Sequence, residues 1–174
     1  MKKLIVILYN IRSTYNVGAI LRTCDGLGID EIIFTGYTPF LDKGLPHEQA
    51  KLRKQIHKTA LGAEDSLAWR RIDDIHAAIQ SCRVQGLQIL ALEQGTGSLN
   101  LAAPHHYAAD AALILGEEVH GIPPEILADC DQLLEIPMCG QKESFNVSVA
   151  SAIALWELRK ASLNDKRKHL RTPE

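Results

Sequence analysis

Hydrophobic positions along the 174-residue chain switch between short continuous runs and runs with a period near 3.6. Leu4 to Tyr9 is apolar and rich in β-branched residues, which predicts a buried strand. A polar loop from Asn10 to Tyr15 follows, and Asn16 is suited to cap a helix. Val17, Ile20, Leu21, Cys24 and Leu27 then recur at helical spacing, with Gly26 and Gly28 marking the end. Glu31 to Thr35 reads as a second strand. A β-α-β unit this early predicts an α/β fold, with a mostly parallel sheet flanked by helices.

Residues 36–70 are less regular, broken by Pro39, Gly44 and Pro46, with a helical pattern over 51–58. The pattern predicts a short helix at 73–83, a strand at 87–92, a turn at 95–98 and a strand at 111–115. Pro123-Pro124 opens a short helix through about Leu127. Leu133 to Ile136 is the last strand and 146–160 the last long helix, with Ser144 placed to cap it. There is no internal repeat and no clear linker. Residues 1–160 are expected to form one domain, followed by a basic, loosely ordered tail at 161–174.

The last helix carries Val147, Val149, Ala150, Ile153, Ala154, Leu155, Trp156 and Leu158, apolar on several sides. Such a helix needs two covering surfaces. The sheet is one; a second subunit is the expected other, against the alternative of a fully internal helix.

Composition narrows the class. A hydrophobic fraction of 46% with 23% charged residues is that of a soluble globular protein, and the apolar runs are too short to span a bilayer. The four cysteines form no C-x-x-C pair, which suits reduced thiols in the cytoplasm. The histidine spacings match no metal site, so no metal is expected. The net charge of −2 does not advertise a nucleic-acid partner, but its distribution is uneven. Lys51, Arg53, Lys54 and Lys58 form one cluster, and Arg159, Lys160 and Lys166 to Arg171 another, together more than half of the 19 basic residues. These are either solvated faces or tracks for a phosphate backbone.

Three blocks carry candidate chemistry. In the first, Asn16-Val17-Gly18-Ala19-Ile20-Leu21-Arg22, Gly18 permits close approach of a chain or ligand. Arg22 lies off the apolar stripe, either simply solvated or reaching a phosphate. In the second, a strand runs into Gly116-Glu117-Glu118-Val119-His120-Gly121, either an ordinary acidic strand-to-helix loop or the place where ligands of open α/β sheets bind. No dinucleotide fingerprint or P-loop is present. The third is Ile136-Pro137-Met138 followed by Ser144-Phe145-Asn146-Val147, a polar joint before the apolar helix.

In this order and spacing the blocks resemble the three motifs of the SpoU (TrmH) family of RNA ribose methyltransferases. Asn16, Gly18 and Arg22 match Asn-x-Gly-x-x-x-Arg; Gly116, Glu118 and Gly121 match Gly-x-Glu-x-x-Gly. Ile136, Pro137, Met138, Ser144, Asn146, Val147, Ser148 and Ala150 match the third, with Phe145 where the family has Leu. The resemblance covers residues 4 to about 160. It implies a C-terminal deep trefoil knot, a rare exception to ordinary chain threading. It also implies a homodimer and methyl transfer from S-adenosylmethionine to a ribose 2′-hydroxyl. By similarity the cofactor lies among Leu92, Gly116, Ile136, Met138, Ser144 and Phe145. Arg22, Asn16, Glu118, Ser144 and Asn146 form the catalytic set. Arg22 is the family's candidate base, which conflicts with the permanent charge of guanidinium. Either a substrate phosphate activates it, or it only positions that phosphate. The resemblance turns Arg22, Lys51, Arg53, Lys54, Lys58, Arg159 and Lys160 into expected RNA contacts.

The alternatives are a non-catalytic RNA-binding or assembly protein of the same fold, or a knotted enzyme that methylates a base. The chain begins directly on its first strand, without the added N-terminal domain of some rRNA-directed relatives, so tRNA is the favoured substrate over rRNA. The methylated nucleotide is not legible in the sequence.

Overall fold

A computed structural model describes residues 2–40, 47–103 and 109–169, apart from the side chains of residues 48, 49 and 161–169. The strands are β1 (Leu4–Tyr9), β2 (Glu31–Thr35), β3 (Trp69–Arg71), β4 (Gln88–Leu92), β5 (Leu99–Asn100), β6 (Ala111–Leu115) and β7 (Gln132–Glu135). The helices are α1 (Thr14–Leu27), α2 (His47–Ala60), α3 (Ala63–Ser66), α4 (Ile75–Arg83), α5 (Pro124–Leu127) and α6 (Val147–His169). The strands form one sheet in the order β3-β2-β1-β6-β4-β7-β5, and every pairing is parallel.

The alternation of side chains along a strand explains the layering. Leu4, Val6 and Leu8 of β1 enter the core shared with Val17, Ile20, Leu21 and Cys24 of α1, Ile56 of α2 and Leu155 of α6. Ile5 and Ile7 point to the other face, against Ile75, Ile79 and Cys82 of α4 and Ile126 of α5. Both faces of the sheet are therefore covered, which is why its central strands read as unbroken apolar runs.

The order of strands places the site. The chain moves outward from β1 to β3, then returns beyond β1 on the other side, so β1 and β6 become neighbours with Val6 opposite Leu113. The carboxyl ends of β1, β4, β6 and β7 gather at one edge, where parallel sheets present ligand sites.

The short edge strands β3 and β5 and the single-turn α3 lie in stretches without usable periodicity. Helix boundaries also differ from expectation. Ser13, not Asn16, caps α1, its hydroxyl accepting from Asn16 N at 3.3 Å. Asn16 thus falls in the first turn with its amide free for other work. Asn146, not Ser144, caps α6: Oδ1 accepts from Ser148 N at 2.9 Å and from the Ser148 hydroxyl at 2.6 Å. Gly28 ends α1 at φ 63°, a left-handed cap that suits glycine. Helix α6 runs on to His169, through much of the stretch expected as a loose tail; residues 170–174 lie outside the described residues.

Gly18 has a specific reason. A Cβ there would stand 2.1 Å from Thr59 Oγ1 and 2.3 Å from the Ile56 carbonyl oxygen. The close approach expected of Gly18 is made by α2, and it fastens the basic helix onto α1.

Candidate active site

A cleft of about 500 Å³ opens at the carboxyl ends of β4, β6 and β7 and the start of α6. Leu92, Gly116, Ile136, Met138, Ser144 and Phe145 all line it, as do Glu118 and Asn146. The loop after β6 forms one wall and the segment 136–147 the other.

The glycines of the first wall allow a tight return. A Cβ on Gly116 would lie 2.5 Å from Ile122 Cγ1 and 2.7 Å from the Gly121 carbonyl carbon. Gly121 has φ 65°, and a Cβ there would lie 2.1 Å from Glu93 Oε2. Gly121 N donates to Glu117 O at 3.1 Å, closing the turn. The five-residue spacing of these glycines is the length of a loop that doubles back on itself.

Glu118, carried on this loop, reaches across to the start of α1. Its Oε1 accepts from Asn16 Nδ2 at 2.8 Å and Ser13 N at 3.2 Å, and its Oε2 accepts from Arg12 N at 3.1 Å. Burial pushes the Glu118 carboxyl up, but the hydrogen bonds from Arg12 N, Asn16 and Ser13 N outweigh it and hold the group below its ordinary value. With Oε1 taking two donors and Oε2 one, Glu118 is an ionised brace and a weak base. Asn16 Oδ1 in turn accepts from Asn146 Nδ2 at 3.2 Å. One hydrogen-bonded row, Glu118–Asn16–Asn146, thus joins residues from all three sequence blocks at the lip of the cleft.

Arg22 is not in that row. It is exposed on α1, six residues beyond Asn16, which on an α-helix is about 9 Å along the axis and roughly 120° around it. It shares the side of α1 that carries Gly18, four residues earlier, and so stands on the flank nearest α2.

The expected RNA contacts separate. Lys51, Lys54 and Lys58 are exposed and recur at helical spacing along one face of α2. Arg53 is half-buried and paired with Asp65 at 2.5 Å. Lys160 is exposed and paired with Glu157. Arg159 is a correction: it is only 2% exposed, so it presents no surface to RNA. Its guanidinium pairs with Asp30 at 2.7 Å and donates to the carbonyls of Gly28, at 2.6 Å, and Lys2. The buried Arg159 thus ties α6 to the start of β1 and the turn after α1, a burial that the apolar count of α6 did not foretell.

Other site residues escaped the sequence reading. Glu93 Oε2 accepts from Ile122 N at 3.0 Å, and Gln94 Nε2 donates to Glu143 O at 2.8 Å. Their position just past the end of β4 was the available signal. Glu117 accepts from the Tyr37 hydroxyl and is paired with His120. The Tyr37 hydrogen bond, with that of His120, lowers the Glu117 carboxyl, and the same bond pushes Tyr37 up to about 12. Among the described residues no three His, Cys, Asp or Glu side chains are placed to hold a metal.

Comparison with known proteins agrees with this geometry. Residues 3–156 match the SpoU rRNA Methylase family. The tRNA (guanosine(18)-2′-O)-methyltransferase of Aquifex aeolicus is 29% identical over 159 residues, covering 91% of this chain and 70% of the relative. The crystal structure of the A. aeolicus TrmH/SpoU tRNA modifying enzyme superposes with a TM-score of 0.78 at 26% identity, over 95% of this chain and 78% of that one. The AdoMet-bound rRNA methyltransferase of Sinorhizobium meliloti superposes with a TM-score of 0.78 at 26% identity, covering 91% of this chain and 56% of that one.

Proposed function

Because the chain belongs to the SpoU rRNA methylase family, we propose that it transfers a methyl group from S-adenosylmethionine to a ribose 2′-hydroxyl of RNA. The observation that carries this reading is the Glu118–Asn16–Asn146 row on the lip of a ligand-sized cleft. The cleft volume lies within the ~300–1,000 Å³ usual for small-molecule sites. Its lining combines apolar Leu92, Ile136, Met138 and Phe145 with glycine-bearing loop backbone, which suits a nucleoside with a methionine-derived sulfonium arm.

S-adenosylmethionine, when bound, supplies an electrophilic methyl on a sulfonium. The protein's share is placement, since in-line attack depends on alignment. Leu92, Gly116, Ile136, Met138, Ser144 and Phe145 hold the cofactor. Glu118 keeps the Asn16 amide turned toward Asn146, and these two amides with Ser144 orient the ribose and phosphate. A guanidinium donates and does not accept, so Arg22 holds phosphate and polarises the hydroxyl, whose proton passes to a phosphate oxygen of the RNA or to solvent. Lys51, Lys54, Lys58 and Lys160 add sequence-independent phosphate contacts, with Arg53 at their edge.

The protein acts as a homodimer in this reading. Val149 at 47% and Trp156 at 50% exposure lie seven residues apart on one face of α6, an apolar surface a second copy would cover. A dimer also explains the distance of Arg22 from the row, because a partner's α1 can bring it to the opposite cleft. Insertion of β6 between β1 and β4, and of β7 between β4 and β5, supports a trefoil-knotted C-terminal half. Residues 1–160 serve as one catalytic domain. The buried or partly buried free thiols of Cys24, Cys82 and Cys130 suit the cytoplasm.

The favoured substrate is tRNA, the substrate named for the A. aeolicus relative. Mapping 2′-O-methyl and base-methyl sites across total tRNA and rRNA, with and without this protein, tests the proposal. One tRNA site should vanish. Loss of an rRNA site would move the substrate, a lost base methyl would favour the base-methylating alternative, and no lost site would remove the enzymatic reading in that cell.

A further inference from the structure

Neither wall of the cleft is part of a regular element over most of its length, so something must set their separation. The residues at the end of β4 do this. Leu92 ends the strand, opposite Leu134 of β7, and Glu93 N still donates to Leu134 O at 3.0 Å. The Glu93 backbone therefore continues the pairing of β4 with β7 by one residue. Its side chain turns to the loop after β6, where Oε2 accepts from Ile122 N at 3.0 Å, while Oε1 accepts from Gln94 N at 3.0 Å. The carboxylate fills the space where Gly121 lacks a side chain. Gln94 turns the other way, its Nε2 donating to Glu143 O at 2.8 Å, one residue before Ser144. Two consecutive residues thus fasten the two opposite walls to one strand end.

We propose that Glu93 and Gln94 are positioning residues for cofactor binding, which fix the width of the cleft by tying the 116–122 loop and the 139–146 segment to β4. The inference rests on the reading of the cleft as the S-adenosylmethionine site. Neither residue belongs to the Asn16–Arg22, Gly116–Gly121 or Ser144–Asn146 blocks. Both line the cleft, but neither needs to touch the reacting atoms; each acts through the backbone it holds. Gln94 is exposed, so its removal disturbs little of the core, whereas it frees the segment that carries Ser144 and Phe145.

The test uses the full chain and the reaction product, S-adenosylhomocysteine, titrated calorimetrically, with thermal melting in parallel. Gln94→Ala loses one neutral hydrogen bond and should weaken binding about fivefold with an unchanged melting temperature. Glu93→Ala loses a charged acceptor shared by two backbone donors and should weaken binding tenfold or more. Glu93→Gln should restore part of this loss, since its amide oxygen can still accept from Ile122 N. An affinity of Gln94→Ala within twofold of the wild type, or of a folded Glu93→Ala within twofold, would overturn the proposal, and Gln94→Ala remains decisive if Glu93→Ala fails to fold. A wild-type chain that does not bind S-adenosylhomocysteine would instead overturn the cofactor reading beneath it.

Discussion

Replacing Glu118 by glutamine keeps the shape of the side chain and removes one charge and one acceptor. The carboxylate braces the start of α1 through Arg12 N, Ser13 N and the Asn16 amide at 3.1, 3.2 and 2.8 Å. A glutamine oxygen placed at Oε1 can serve Ser13 and Asn16, but its NH₂ then faces the Arg12 N–H. The bond to Arg12, about 1.5–3 kcal/mol for an ionised acceptor, is lost, and the other two weaken toward the neutral ~1 kcal/mol. Water reaching exposed Arg12 and relief of the buried charge offset part of this, leaving about 2 kcal/mol. For a chain of this size that is a fall of roughly 4–8 °C in melting temperature. The pH dependence has a definite sign. The folded-state pKa of Glu118 is lowered relative to its unfolded value, so its stabilisation is present above the unfolded pKa of ~4.3 and is lost as pH falls through the folded value. Urea denaturation of both proteins from pH 7 down to pH 4 should therefore show a full gap at pH 6–7 that begins to close at the acid end. Methyl transfer should fall as well, because Asn16 loses the brace that turns it to Asn146. A Glu118→Gln protein as stable as the wild type at pH 7, or a gap that widens toward acid, would refute the brace.

Gly18→Ala sets helix propensity, worth about 1 kcal/mol in favour, against a Cβ placed 2.1 Å from Thr59 Oγ1 and 2.3 Å from Ile56 O. The clash should win by about 1–3 kcal/mol in urea denaturation, and a stabilised variant would contradict the close crossing of α1 and α2. Arg159→Ala removes a buried guanidinium that pairs with a partly exposed Asp30 and caps two carbonyls, and should destabilise the fold by about 2 kcal/mol, yet leave the salt dependence of tRNA binding unchanged in filter retention. Lys54→Ala with Lys58→Ala should do the reverse, keeping the melting temperature while reducing the salt slope by about one unit per lost phosphate contact. Arg22→Ala should nearly abolish methyl transfer while calorimetric affinity for S-adenosylhomocysteine stays within about twofold, as expected of a residue that touches RNA rather than cofactor.

The strand and helix calendar of the chain was legible because it rests on local periodicity. The apolar runs at 4–9, 31–35 and 111–115 became central strands, and the 3.6-residue stripe from Val17 to Leu27 became α1. Edge elements were not legible, since β3 and β5 are three and two residues long and carry no period of their own. The motif blocks likewise gather at the end of the sheet where the cleft opens, because residues just beyond strand ends are where a parallel sheet exposes its loops.

Each side chain's task was another matter. Glu118 meets Asn16 across 102 residues of sequence, Asn146 meets Asn16 across 130, and Arg159 meets Asp30 across 129. No local pattern encodes such partners; they arise from the strand order that sets β6 beside β1 and from α6 packing over α1. The sequence by itself determined the layered parallel fold, the family and the candidate residues. Long-range packing made Glu118 a brace, set Asn146 rather than Ser144 as the cap of α6, brought Gly18 against α2 and buried Arg159. Secondary structure follows from neighbours a few residues apart, whereas hydrogen-bond partners and burial depend on which distant segments the folded sheet makes adjacent.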